Sequence, residues 1–117
     1  MPMRKIPLNE ITALGGPSPH RLAAVEDAFD WSSGVKGPRI GSYYVVLRMI
    51  DLEKQRVLVR DTTPVVSPDT VAQRASTMQF VPVTFEGLTA RVSADKTGNL
   101  RIYAEAEAVK IVQPTQK

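Results

Sequence analysis

The chain of 117 residues has the length of one domain and contains no cysteine, which excludes disulfides, cysteine-ligated zinc and thiol catalysis. Its net charge is +3, and all of the positive excess lies from residue 36 onward. A mildly basic chain is compatible with an anionic partner without demonstrating one. No apolar run approaches the roughly 20 residues that span a bilayer, and the N-terminus lacks the apolar stretch of a secretory signal. We therefore expect a cytoplasmic protein with no membrane contact, in the host cell if the protein is viral.

The N-terminal part is rich in proline and glycine. Proline fixes φ and removes a backbone donor, so at most one short strand fits here, at residues 5–14. We therefore predict an N-terminal extension over residues 1–17 and a folded domain over 18–117. The segment 18–29 begins like a helix, yet its apolar residues fit both the helical and the strand period. The sequence leaves both alternatives open.

A β-hairpin is the clearest element. Residues 43–50 are rich in β-branched and aromatic side chains, and a polar break separates them from a second strand at 56–60. On the second strand Arg56 and Arg60 flank Leu58 on one side. This arrangement is unusual for a strand face that serves only solubility.

A second β unit follows a short helix predicted at residues 67–74, where serine, proline and aspartate mark a helix start. Residues 80–92 alternate like a strand with a break at Glu86 and Gly87. Residues 100–112 also alternate, but their phase flips near Val109, which predicts a bulge or a sharply bent strand. We therefore expect a mostly all-β fold, a small five-stranded OB-like barrel with one short helix.

Enzymatic chemistry finds little support. His20 is the only histidine and lies in a proline-rich region without a catalytic context. Glu105 and Glu107 share a strand face, but no third ligand converges on them. Residues 96–98 lack the preceding glycines and following helix of a phosphate loop. We expect no catalytic site, metal, cofactor or small-molecule substrate.

Basic residues on the last hairpin suggest an anion site. A register that places Val92 opposite Leu100 also places Arg91 opposite Arg101. Like charges across a ladder are destabilising, and an anion between them would relieve the repulsion. The alternatives are a different register or neutralisation by nearby glutamates.

Tyrosines lie beside cations in the sequence. Interleaved aromatic and basic residues suit single-stranded nucleic acid, because bases stack on rings while cations follow phosphates. Neighbouring residues on a strand point to opposite sides, so one of Tyr43 and Tyr44 must point inward. The tyrosines in question are Tyr43, Tyr44 and Tyr103, near Arg39, Arg48 and Arg101.

Three stretches in matching order resemble the single-stranded DNA-binding proteins of filamentous phages, the gene V protein type. They are the glycine-rich basic turn at 33–38 that leads to Tyr43, the hairpin at 46–60, and the last hairpin and closing strand at 96–112. The sequence departs from that family by some thirty additional N-terminal residues and by the helix-like insertion near 67–76. The resemblance covers about two-thirds of the chain.

The resemblance implies a homodimer with a five-stranded OB-type barrel, in which the last hairpin joins the dimer. Transferred by position, it implies phosphate contacts at Lys36 and Arg39, base stacking at Tyr43 or Tyr44, a groove lined by Arg48, Arg56 and Arg60, and a weaker contact at Lys96. Arg91 and Arg101 complete the set of candidate nucleic-acid contacts from the argument on register.

The sequence thus predicts a sequence-tolerant single-stranded DNA-binding protein that coats strands during replication or transfer, of the kind that a phage or mobile element carries. A small β adaptor or structural subunit that binds a protein through exposed strand edges and an apolar patch is the alternative. Single-stranded RNA is a third candidate, because a groove that reads backbone and base faces need not exclude ribose.

Overall fold

The computed structural model describes residues 6–9, 13–16, 19–94 and 97–112. Most of the residues in secondary-structure elements belong to β-strands, and a short helix lies between the fourth and fifth strands. The elements are β1 (Ile6–Leu8), β2 (His20–Phe29), β3 (Arg39–Leu47), β4 (Lys54–Val59), α1 (Pro68–Ser76), β5 (Val81–Glu86), β6 (Thr89–Ala94), β7 (Leu100–Ala106) and β8 (Ala108–Ile111).

The ambiguous segment after residue 18 is a strand. β2 pairs antiparallel with β3, and its register shifts between Leu22 and Ala24. The extra residue turns the strand, so Leu22 and Val25 both lie in the core although they are three residues apart. A β-bulge therefore produces the spacing that mimics a helix in the sequence.

The predicted hairpin is confirmed, with β3 and β4 antiparallel. The turn between them includes Leu52 at a positive φ of 59°. The predicted helix is also confirmed as α1, which begins with Pro68 at its first turn after the N-cap Ser67. α1 packs mainly against β2 and buries Val71.

Both strands of the second β unit break at one place. β5 and β6 are separated at Gly87, and β7 and β8 are separated at Glu107, whose N–H donates to the Glu86 carbonyl at 2.8 Å. Gly87 has a φ of 63°, and an added Cβ would lie 2.6 Å from the Glu107 carboxyl group. The phase flip predicted near Val109 is this break, because β7 faces one set of neighbours and β8 another.

The strands form one mixed sheet in the order β1-β6-β7-β4-β3-β2-β5-β8. The β6–β7 half of the bent hairpin joins β4 through a parallel β4–β7 pair, and the β5–β8 half joins β2. The all-β class with one short helix is confirmed. The expected five-stranded barrel is corrected in two respects. The two long strands are each divided at the break, and the sheet does not close, because its end strands β1 and β8 do not pair with each other.

The order of the segments along the chain nevertheless has the predicted number of strands and the predicted place of the helix. If each broken strand is counted as one, five segments run β2, β3, β4, then β5–β6, then β7–β8, with the helix before the fourth. The hairpin bends so that its two halves flank opposite sides of the β2–β3–β4 meander. The OB fold is itself described as a partly open barrel.

The core lies on one face of the sheet and includes Val71 of α1. Tyr44, Leu22, Val46 and Val57 are fully buried there, together with Val83. None of the helical segments that the structure describes combines the length and apolar character that a bilayer-spanning helix requires.

Candidate nucleic-acid interface

The β3–β4 hairpin has an inner and an outer face. Tyr44 and Val57 pair across the two strands on the inner face and are fully buried. Tyr43 and Leu58 pair on the outer face, where Arg56 is also exposed. The predicted side of Arg56 and Leu58 is confirmed, and Tyr44 is the tyrosine that points inward.

An open groove of about 670 Å³ lies on the outer face, between β4 and β7. The parallel ladder joins only residues 57–59 to residues 104–106, so the earlier parts of the two strands are not paired with each other. The Gln55 amide bridges this gap by donating to the Ile102 carbonyl at 3.0 Å. The groove lining includes Tyr43, Lys54, Arg56, Leu58, Arg91, Arg101 and Tyr103.

The predicted register of the last hairpin is wrong. Arg91 lies opposite Tyr103, and Arg101 lies opposite Ser93, because the ladder next to the β6–β7 turn ends with Ala94 opposite Leu100. Gly98 belongs to this turn with a φ of 87°, which a strand residue does not adopt. The two arginines are therefore diagonal neighbours and not a directly opposed pair.

Arginine and tyrosine side chains stack in two places on the outer face. The Arg91 guanidinium lies 5.6 Å from the centre of the Tyr103 ring. The Arg56 guanidinium lies 5.1 Å from the centre of the Tyr43 ring. Both distances fall in the range of cation–π attraction.

These four side chains form a row across four strands. The ladder begins at Val57 and Ala104, so Arg56 and Tyr103 precede it on their two strands and both line the groove. The row therefore reads Arg91, Tyr103, Arg56, Tyr43 along β6, β7, β4 and β3. We call these four residues the Arg–Tyr row.

The charges of the outer face are unevenly distributed. Glu26 lies opposite Tyr43 on β2, and Glu105 lies beside Leu58 on β7. Lys54 and Arg101 line the groove at its other end, near the β3–β4 turn and the β6–β7 turn. A polyanion in the groove would therefore be drawn away from the two glutamates and towards these two cations.

Arg39, which the resemblance implies as a phosphate contact, does not line the groove and is engaged within the fold. Its guanidinium donates to Asp27 at 3.0 Å, to Asp61 at 3.2 Å and to the Ser42 hydroxyl at 2.7 Å. It also donates to the carbonyls of Asp61 and Thr62. The hydrogen bond to Asp27 is the main cause of a raised Arg39 pKa. This arginine ties β2 and β3 to the segment after β4.

Tyr44 belongs to the same network and is not a stacking platform. Its hydroxyl donates to Asp61 Oδ2 and accepts from the Val65 N–H, both at 3.0 Å. Burial is the largest cause that raises the pKa of Tyr44 to about 12. No base can reach a ring that is fully buried.

Two further predicted groove arginines are engaged elsewhere. Arg48 pairs with Asp51 at 3.1 Å and donates to the Ala13 carbonyl at 2.8 Å. Arg60 pairs with Glu105 at 3.2 Å and lines a separate hollow beside Gly87. Arg48 is therefore a structural residue, and Arg60 adjoins the groove without lining it.

Lys36, which the resemblance implies as a phosphate contact, does not line the groove. Its ammonium lies 4.0 Å from the centre of the Phe29 ring, in the loop between β2 and β3. Backbone hydrogen bonds from Asp30 to Pro38 and from Gly37 to Asp30 close the base of this loop. Lys96 lies outside the described residues.

The groove contains residues that the sequence analysis did not select. Lys54 begins β4 on the same side as Arg56, and extending the alternation of Arg56 and Arg60 by one step towards the N-terminus would have found it. Glu26 had no such signal, because its place beside Tyr43 depends on the β2 bulge.

No group of three or more side chains suited to a metal ion occurs among the residues that the structure describes. No protein-family model matches this sequence, and no curated protein or solved structure matches the chain closely enough to count as a relative. The candidate interface therefore depends on the geometry of the outer face.

Proposed function

We propose that this protein binds single-stranded DNA without strong sequence preference and coats exposed strands. The Arg–Tyr row in an open groove is the observation that carries the proposal. Cations that follow phosphates, alternating with rings on which bases stack, are the two components of sequence-tolerant single-strand binding.

The groove offers each component in a usable form. Tyr103 is 46% exposed, so one base can stack on it after a small movement of Arg91. Lys54 has no ion-pair partner within the described part of the chain and is available to a phosphate. Stacking contributes roughly 1–3 kcal/mol per base and accepts any base, since every base has a π-face.

The location of the groove agrees with this function. In OB folds the face of the second and third strands, with the loops that flank it, binds oligonucleotides. Here those strands correspond to β3 and β4, and the groove lies on their outer face. The homodimer and the origin in a phage or mobile element remain part of the proposal through the sequence resemblance.

The test is a fluorescence anisotropy titration of labelled oligo(dT) over a series of salt concentrations. For single strands the slope of log K against log salt is about −0.7 for each neutralised phosphate. The double variant Lys54→Ala/Arg91→Ala should flatten the slope by about 1.4. It should also weaken binding at low salt by about tenfold.

A matched variant controls for net charge. Arg74 lies on α1. Lys110 lies on β8 and pairs with Glu86 of β5, so both cations lie outside the groove lining. The double variant Arg74→Ala/Lys110→Ala should keep the wild-type slope. Equal slopes in both double variants would remove the groove from the proposal, and oligo(rU) in place of oligo(dT) tests for a preference for RNA.

A protein-binding function is the second candidate, because the β3–β4 turn exposes an apolar patch. Met49, Ile50 and Leu52 are 47%, 76% and 67% exposed. They adjoin a hollow of about 340 Å³ whose lining includes Leu14 and Leu47. An exposed patch of this kind marks interaction surfaces. This function predicts no salt-dependent oligonucleotide binding in the titration above.

A further inference from the structure

Tyr43 is covered by a side chain from the next strand. It lies opposite Leu58 on β4, and the Arg56 guanidinium reaches across from the same strand to lie over the ring. The Tyr43 side chain is only partly exposed as a result of this and neighbouring contacts. A base that stacks on this ring must first displace the guanidinium.

Glu26 holds the guanidinium in that place. On its other side Tyr43 lies opposite Glu26, and the Glu26 carboxylate is 3.4 Å from Nη2 of Arg56. Arg56 therefore crosses the width of β3 to reach a carboxylate on β2, with the tyrosine ring beneath it. Within the described residues Glu26 is the carboxylate that forms an ion pair with Arg56.

The second stack of the row differs in this respect. Arg91 lies over Tyr103 without an ion pair to any described carboxylate, and Tyr103 is about half exposed. The neighbouring carboxylate, Glu105, pairs with Arg60, which lies over no ring. The two rings thus differ in how their arginines are held: a carboxylate anchors Arg56 over Tyr43, whereas no described carboxylate anchors Arg91 over Tyr103.

We propose that Glu26 is a positioning residue that regulates the groove by keeping Arg56 over Tyr43 until a strand phosphate competes for the guanidinium. This inference rests on the proposed function, since the competitor is a phosphate of the bound strand. When the phosphate takes Arg56 from Glu26, the ring is uncovered for the adjacent base. One event then supplies both a charge contact and a stacking contact.

The Glu26–Arg56 ion pair is weak enough for a phosphate to break it. The two side chains are 63% and 49% exposed, for Arg56 and Glu26 respectively. Exposed pairs change an equilibrium by no more than about fivefold, so the phosphate of a bound strand can replace the carboxylate. The order of binding that follows is stacking on Tyr103 first and on Tyr43 second.

The first measurement needs no DNA. Tyrosine nitration by tetranitromethane, mapped by mass spectrometry, reports the accessibility of each ring in the folded protein. Glu26→Gln keeps the shape of the side chain and removes its charge, and it should raise nitration of Tyr43 by about threefold. Tyr103 should be unchanged, and the buried Tyr44 should remain unmodified in every variant. Glu105→Gln is the matched control and should leave Tyr43 at the wild-type level.

The second measurement is the oligo(dT) titration with the same variants. Glu26→Gln should bind up to about fivefold more tightly than wild type, and most of that gain should disappear in a Tyr43→Ala background. Any gain from Glu105→Gln should persist in that background, because Arg60 covers no ring. Tyr43→Phe retains the ring and should retain the gain.

The outcomes separate the two proposals. The role of Glu26 would be overturned if wild type binds DNA but Glu26→Gln and Glu105→Gln give the same Tyr43 nitration and the same oligo(dT) affinity, with and without Tyr43→Ala. The proposed function would then remain intact. No binding by wild type would remove the proposed function and this regulation with it, whatever the nitration result.

Discussion

Tyr43 and Tyr44 are neighbours in the chain with opposite surroundings. Tyr44 is fully buried, and Asp61 and Val65 hold its hydroxyl. Tyr43 lies on the outer face under Arg56. Successive strand residues point to opposite sides, so one dipeptide serves both the core and the candidate interface.

The arginines on these two faces repeat the contrast. Arg39 donates to two carboxylates, a hydroxyl and two carbonyls, which fully commits its guanidinium to the fold. Arg56 has one exposed ion pair and one ring contact. Residue type therefore does not decide which cation can reach a ligand. The number and burial of the partners that each cation already has decide it.

The largest expected effect comes from replacing each tyrosine with alanine: Tyr44→Ala should mainly lower stability, and Tyr43→Ala should mainly weaken DNA binding. Tyr44→Ala should lower the free energy of unfolding by about 4 kcal/mol, because it leaves a core cavity. It also removes one of the hydrogen-bond donors to the Asp61 carboxylate. Tyr43→Ala should lower it by less than about 1 kcal/mol, and should weaken oligo(dT) binding by about 1–3 kcal/mol. Urea denaturation and anisotropy titration measure the two quantities.

The comparison between the faces would fail if both alanine variants lost similar stability. Tyr44→Phe is the control that keeps the core volume and removes only the hydroxyl. It should cost about 1–2 kcal/mol and leave oligonucleotide binding unchanged.

The next effect concerns the two arginines. Arg39→Ala should lower the free energy of unfolding by about 2 kcal/mol, since the partly buried Asp61 carboxylate loses a charged donor. Arg56→Ala should change stability by less than about 1 kcal/mol, because its ion pair is exposed. Only Arg56→Ala should weaken oligonucleotide binding and flatten its salt dependence. Weaker binding by a folded Arg39→Ala protein would contradict this assignment.

The most gradual effect is the response of the inner face to alkaline pH. Tyr44 has a folded pKa of about 12, above the ordinary value of 10.0, so the folded state favours the neutral phenol. Its contribution to stability is fully present below pH 10 and is lost as the pH rises from 10 through 12. The free energy of unfolding should fall there by up to about 1.4 kcal/mol per pH unit.

Tyr44→Phe isolates that contribution from the lysines that titrate over the same range. Denaturation between pH 9 and pH 12 should show a shallower decline in this variant than in wild type. Parallel declines in the two proteins would show that Tyr44 is not the cause.

Local sequence patterns predicted the elements better than their pairing. The β-branched and aromatic run at 43–50 and the alternation at 56–60 predicted the β3–β4 hairpin, and the serine–proline start predicted α1, because each depends on residues within one element. β2 stayed ambiguous because its bulge changes the period by one residue. The predicted register of the last hairpin was wrong because Ala94, and not Val92, lies opposite Leu100, and no short sequence pattern fixes the length of a turn.

The candidate interface was predicted in part. Four of the predicted residues line the groove together, although they come from four strands: Tyr43, Arg56, Arg91 and Arg101. The other predicted residues that the structure describes contact other parts of the fold or only adjoin the groove. Their placement could not be predicted, because most of their partners are distant in the sequence. Asp61, for example, is 22 residues from Arg39.

The sequence by itself determined a cysteine-free, mostly β chain with one short helix, a hairpin whose second strand exposes arginines, and one inward tyrosine in the pair at 43 and 44. Alternation and turn chemistry act over a few residues, so they can be read from the chain. Only the tertiary structure decided that the breaks at Gly87 and Glu107 lie side by side, that Arg91 meets Tyr103, and that Glu26 lies beside Tyr43. Those contacts join residues between 12 and more than 20 positions apart, and strand register and sheet order fix them.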